Sequence, residues 1–159
     1  ARLHGAREIV ATDIVDEALA RIKSVAADRT VNVARATTAM ADFAANKGTF
    51  DVMFESSGNQ AAIRSGLGAL KPRGVLVQVG LGGTMDLPQD AIVTREIEVR
   101  GAFRFINEFA LAAALIGSGR ANVRPLITQE YELARAKEAF DIAGDRKQAM
   151  KVQLLFDGA

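Results

Sequence analysis

Two rhythms of apolar and polar positions run along this chain. Short, nearly unbroken apolar runs stand at residues 8–12 (EIVAT), 50–55 (FDVMFE) and 75–81 (VLVQVGL), and between them apolar residues recur every three or four positions. Parallel strands buried on both faces lose the polar half of their alternation, so the runs predict strands and the spaced pattern predicts helices. A strand over 8–12 ends at Asp13. A helix over 16–27 places Leu19, Ile22, Val25 and Ala26 on one face and Arg21 and Lys23 on the other. Residues 30–33 (TVNV) read as a brief strand. Residues 38–47 read as a helix with Met40, Phe43 and Ala44 inward and Gly48 past its end. Residues 50–83 then form a βαβ unit: FDVMFESSG, a helix closed by Lys71-Pro72-Arg73-Gly74, and VLVQVGLGG, with a right-handed crossover.

Beyond this unit, Pro88 fits the first position of a short helix over 89–94. The stretch 96–105 (EIEVRGAFRF) opens with strict alternation and breaks at Gly101, predicting a strand and a loop. Asn107 caps a helix over 108–117, whose run from Ala110 to Leu115 reads as core packing. After a turn at 119–122 come an exposed strand over 126–133, an amphipathic helix over 134–143 carried by Ala136, Ala139, Phe140 and Ala143, and a strand over 152–156. At the start, ARLH resembles the last turn of a helix stopped by Gly5. The alternation through residue 118 predicts the α/β class, with a doubly wound, mostly parallel sheet; residues 119–159 follow a different rhythm. Ligands of such sheets sit beyond the carboxyl ends of the strands. Here those ends read Glu55-Ser56-Ser57-Gly58 and Val79-Gly80-Leu81-Gly82-Gly83, where small residues let a flat ligand lie close to backbone.

Composition narrows the chemistry. Lys+Arg number 20 against Asp+Glu 19, so no field draws a nucleic acid. The chain has no cysteine and one histidine, His4, which excludes disulfides, thiolate sites and Cys/His zinc sites within it and argues against a Ser-His-Asp triad. No apolar run approaches the roughly 18 residues of a membrane span. No signal peptide is visible, and a cytoplasmic protein is expected.

Asp13 ends a strand, where an acidic side chain accepts the adenosine ribose hydroxyls of a dinucleotide; the alternative is a cap on the following helix. No G-x-G-x-x-G is present, since Gly66-Leu67-Gly68 has Lys71 where the third glycine belongs and lies late in a helix. Val79-Gly80-Leu81 and Ala102-Phe103-Arg104 follow strands ending at one sheet edge. Free backbone groups there suit a carboxamide, which needs one donor and two acceptors; ordinary loops are the alternative. Arg104 suits a bidentate contact to a carboxylate, or else a surface ion pair. Ser56 and Ser57 have no accompanying base and read as small residues at a crowded strand end.

Five segments in this order, GAREIVATD, FDVMFESSG, RGVLVQVGLGG, EIEVRGAFRF and AGDRKQAMKVQLLF, resemble the medium-chain zinc-dependent dehydrogenases, in their polyol and aldonate branch. The resemblance implies a Rossmann domain over 1–118 lacking its first strand and Gly-rich turn, and a segment 119–159 returning to a GroES-like catalytic domain. It implies oxidation of a secondary alcohol to a ketone by hydride transfer to NAD, with NADP possible, and zinc held by residues absent here. It places Asp13 on the adenosine ribose, and Ser56, Ser57 and Gly58 beside the nicotinamide ribose. It places the Val79 and Ala102 carbonyls and the Arg104 amide on the carboxamide, with Gly80, Leu81 and Phe103 in the same loops. The resemblance further implies that the Arg104 guanidinium faces the substrate, a polyol or aldonate. Many relatives carry Arg or Lys where this chain has Ala18. Nucleic acid and membrane are not expected partners, and a homo-oligomer through the sheet edge at 96–100 is. Loss of a central strand implies that another polypeptide supplies it, that the strands at 8–12 and 50–55 pair directly, or that two copies join. A zinc-independent quinone reductase, a non-catalytic dinucleotide module and a methyltransferase using S-adenosylmethionine are the alternatives.

Overall fold

The computed structural model describes residues 1–36 and 38–156. In chain order the elements are β1 (Val10–Asp13), α1 (Asp16–Val25), β2 (Arg29–Asn32), α2 (Ala39–Ala44), β3 (Phe50–Glu55), α3 (Gln60–Ala69), β4 (Leu70–Gln78), α4 (Gln89–Thr94), β5 (Glu98–Gly101), α5 (Glu108–Gly117), β6 (Ile127–Glu132), α6 (Ala136–Ala143) and β7 (Lys151–Leu155). The class is α/β, as expected, and every strand pair among the described residues is parallel. Pairing stays between strands joined by one crossover, giving the sheets β1-β2, β3-β4-β5 and β6-β7. Among the described residues β1 is hydrogen-bonded to β2, and β3 to β4.

The chain divides into two units, Ala1–Ala36 with Ile106–Ala159, and Thr37–Phe105.

In the unit Thr37–Phe105, α3 is set by its sequence. The Asn59 side chain accepts from the backbone N–H groups of Ala61 and Ala62 and starts the helix. Ile63, Gly66 and Leu67, at helical spacing, are buried. A Cβ at Gly66 would lie 2.2 Å from the Met53 methyl group, so a side chain there requires Met53 to move. Ile63, Leu67, Leu70, Leu76 and Ile97 form the core, with Phe50, Met53, Met85 and Ile92 packed against them. Fully burying a side chain of this kind contributes about 1.5–3 kcal/mol.

The segment Lys71–Gly74 does not close the helix as the sequence predicts. Helix α3 stops at Ala69, and β4 begins at Leu70, paired with Phe50; the ladder resumes only at Val52 and Val75. Pro72 lacks a ladder donor and Arg73 takes φ 63°, so the residues between bulge out of the strand. Arg95 gathers this corner. Its guanidinium donates to the carbonyls of Leu67 (2.8 Å), Gly68 (3.2 Å), Lys47 (2.6 Å) and Leu70. A cation at a helix carboxyl end satisfies carbonyls that the helix leaves open.

In the other unit, Leu19 of α1 and Ala139 of α6 are buried. Two expected faces differ. Arg21 was placed on the outer face of α1, yet its guanidinium reaches the Gln148 carbonyl at 3.0 Å. Phe140 was placed inward and is 73% exposed. Helix α5 departs further: no residue in EFALAAALIG is buried, so Ala110 to Leu115 is not core packing.

Replacing Arg95 with Met, which keeps the stem and removes the donors, should destabilise the unit Thr37–Phe105 by about 2 kcal/mol or more, read as a lower urea midpoint.

Candidate functional site

Strands β3 and β4 run parallel and end at the same rim, and one side chain fastens the two ends. Glu55, the last residue of β3, is 2% exposed. Its Oε1 accepts from the backbone N–H groups of Ser57 (2.8 Å) and Gly58 (3.1 Å) and from the Ser57 hydroxyl. Its Oε2 accepts from the Gly58 N–H (2.9 Å) and the Gln78 side-chain amide (2.7 Å). The same amide donates to the Gly80 carbonyl at 2.8 Å, and the N–H groups of Val79 and Gly80 both donate to the Glu55 carbonyl. Burial pushes the Glu55 carboxyl up, but the bonds from the Ser57 hydroxyl, the Gly58 and Ser57 amides and Gln78 outweigh it and hold the carboxyl below its ordinary value.

The glycines of this rim serve the loops themselves. A Cβ on buried Gly80 would lie 2.2 Å from the Gly58 nitrogen, and one on Gly82 would lie 1.7 Å from the Gly58 oxygen. Gly58 has φ 66°, and its Cβ would meet the Leu81 carbonyl carbon at 2.6 Å. The space expected to admit a flat ligand at these positions is filled by the neighbouring loop's backbone.

The exposed side of the rim lies one strand further on. Gln78 pairs with Gly101, and the Ala102 N–H donates to the Gln78 carbonyl at 2.9 Å, which sets Val79 beside Ala102. Leu81 is 80% exposed; Ala102, Phe103 and Arg104 are exposed as well. The Val79 and Ala102 carbonyls and the Arg104 N–H carry no hydrogen bond among the described residues. Two acceptors and one donor match a carboxamide in kind and number. Arg104 takes φ 57°, an uncommon conformation for a side-chain-bearing residue, with its guanidinium 5.0 Å from the centre of the Phe103 ring. Ser56 and Ser57 are exposed on the loop that Glu55 holds.

Asp13 stands in the other unit, at the end of β1. Its Oδ1 accepts from the Ile14 and Val15 N–H groups at 2.7 and 3.0 Å. It turns the chain and does not cap α1, whose N-cap is Val15 with no side-chain bond. Arg146 Nη2 lies 3.0 Å from Oδ2 and 3.3 Å from Oδ1. Opposite, Asn32 donates to Asp16 at 2.6 Å, and Arg35 pairs with Asp16 at 2.7 Å. Among the described residues no group of three or more His, Cys, Asp or Glu side chains is placed to hold a metal ion, so these residues do not fit a zinc ion. None of the helices among them is long and apolar enough to cross a membrane.

Glu55, Gln78 and Arg146 were not singled out from sequence. A carboxylate inside an apolar run was a visible signal for Glu55. Arg146 gives no local signal, being 133 residues from its partner.

The family model for zinc-binding dehydrogenases matches residues 1–118. The chain belongs to the zinc-binding dehydrogenase family. Within it, the chain is 41% identical over 153 residues to the L-idonate 5-dehydrogenase (NAD(P)(+)) of Escherichia coli, covering 96% of the chain and 44% of that protein. It is 34% identical to the sorbitol dehydrogenase of Rattus norvegicus, over 90% of the chain and 41% of the relative. The crystal structure of the E. coli L-idonate 5-dehydrogenase superposes with a TM-score of 0.90 at 40% identity, covering 98% of this chain and 44% of that one. The chain thus spans less than half the length of these relatives.

Because the Glu55 carboxyl titrates below its ordinary value, its stabilisation is complete above that value and is lost as pH falls through the lowered one. Glu55→Gln should lower stability by roughly 1–3 kcal/mol near neutral pH, by turning an amide donor toward donors. Urea midpoints measured against pH should show the gap to wild type narrowing below about pH 4.

Proposed function

We propose that this chain is the dinucleotide-binding part of a cytoplasmic NAD(P)-dependent dehydrogenase that oxidises a secondary alcohol of a polyol or aldonate, most like L-idonate, to a ketone. The observation that carries the reading is the row of unpaired groups at Val79, Ala102 and Arg104, on a chain similar to L-idonate 5-dehydrogenase over nearly its whole length. On this reading residues 1–118 are the partial dinucleotide domain and 119–159 belong with a catalytic domain.

Each residue then has a physical task. The Val79 and Ala102 carbonyls accept from the carboxamide amino group, and the Arg104 N–H donates to its oxygen. Ser56, Ser57 and Gly58 lie beside the nicotinamide ribose, on a loop held by the buried Glu55 carboxylate. Gly80 keeps that loop close, and Leu81 and Phe103 present apolar surface that excludes water from the ring. Asp13 accepts the adenosine ribose hydroxyls. Bound nicotinamide supplies the acceptor for the hydride that leaves the alcohol carbon. Arg104 has a left-handed backbone and a ring-stacked guanidinium, a costly arrangement that suits a role facing the substrate's carboxylate or a hydroxyl. The reading leaves zinc to residues outside this chain. The outer strand β5, exposed at every residue, is the edge proposed to join copies in a homo-oligomer.

The protein expressed with its whole reading frame should reduce NAD or NADP with L-idonate, sorbitol or a related polyol. Failure with every polyol and aldonate would overturn the reading. Turnover of a quinone instead would assign the protein to reductases of the same fold, and NADH binding without any turnover would make it a binding module. Arg104→Ala should raise KM for an aldonate roughly tenfold or more, with a smaller effect on NADH binding. An unchanged KM and kcat would remove Arg104 from the substrate's side.

A further inference from the structure

Asp13 has a partner that a turn-forming carboxylate does not need. Its hydrogen bonds to Ile14 and Val15 already fix it, yet Arg146 reaches it from 133 residues away. The contact uses one nitrogen, Nη2, for both carboxylate oxygens. The rest of the guanidinium makes no hydrogen bond among the described residues, and the side chain is 64% exposed against 27% for Asp13. A guanidinium has five N–H donors in a rigid fork, so a whole edge stays available beside the carboxylate.

Ile14, Val15 and Arg146 line a shallow cleft with Lys147, a second cation. Asp141 and Asp145 line the same cleft. Asp141 pairs with Lys137 at 2.9 Å, and Asp145 accepts from the Lys147 N–H at 2.9 Å and the Gln148 amide at 2.7 Å. A lone carboxylate at the end of a strand accepts a ribose 2′-hydroxyl and repels a 2′-phosphate, whereas a nearby arginine accommodates one.

We infer that Arg146 is a specificity-determining residue that lets the Asp13 site take either NAD or NADP, the carboxylate reading the 2′-hydroxyl and the free guanidinium edge binding the 2′-phosphate. The inference rests on the dinucleotide reading above and adds the source of the cation, which no residue next to Asp13 in sequence supplies.

The test measures binding rather than turnover, by nicotinamide fluorescence of NADH and NADPH with the protein expressed from its whole reading frame. Arg146→Ala should weaken NADPH roughly tenfold or more and leave NADH little changed. Arg146→Lys, which keeps the charge and loses the fork, should fall between. Asp13→Asn should weaken NADH and spare NADPH. Should the alanine variant fail to fold, wild-type binding against salt still decides, because NADPH should weaken more steeply than NADH. The inference is overturned by wild type that binds NADH but not NADPH, by an Arg146→Ala variant that weakens both alike or neither, or by parallel salt curves. Wild type that binds neither dinucleotide overturns the dinucleotide reading itself, and this inference with it.

Discussion

A carboxylate buried without a cation is the constraint on which the rim of the sheet depends. Removing a charged carboxylate from water costs several kcal/mol unless hydrogen bonds replace the lost hydration. Among the described residues, Glu55 receives those bonds from its own loop and from the neighbouring strand alone. The loop after β3 and the loop after β4 therefore have one arrangement in which the charge is tolerated. The backbone bonds from Val79 and Gly80 to the Glu55 carbonyl point the same way. Glycines at 58, 80 and 82 are the steric condition for that arrangement, since a side chain at any of them would occupy the opposite loop.

Much of this architecture was legible in the sequence, because the forces that set it are local. Apolar runs located the strands other than β4 to within about two residues, and Pro88 stands at the N-cap of α4, next to the position expected for it. The failures share a cause. The segment 71–74 was assigned to a helix end because Pro and Gly stop helices, but the register of β4 against β3 decides where the strand begins, and register is a property of two segments. The exposure of Phe140 and of most of α5 depends on what lies opposite them, which periodicity does not encode.

The candidate site divides along the same line. The strand-end positions 13, 56–58, 79–81 and 102–104 follow from topology once the strands are known. What holds them does not follow. Glu55 works through contacts made by its carboxylate, and Arg146 through a meeting of distant segments. The glycines mislead in an instructive way: the same absence of a side chain admits a ligand or a neighbouring backbone, and here the backbone takes the room.

Among the described residues Arg95 binds main-chain oxygens alone, at Lys47, Leu67, Gly68 and Leu70. Every residue type offers that oxygen, so substitutions at those four positions leave the acceptor in place as long as the chain keeps its path. The tie therefore tolerates drift in all of its partners and is vulnerable at a single codon.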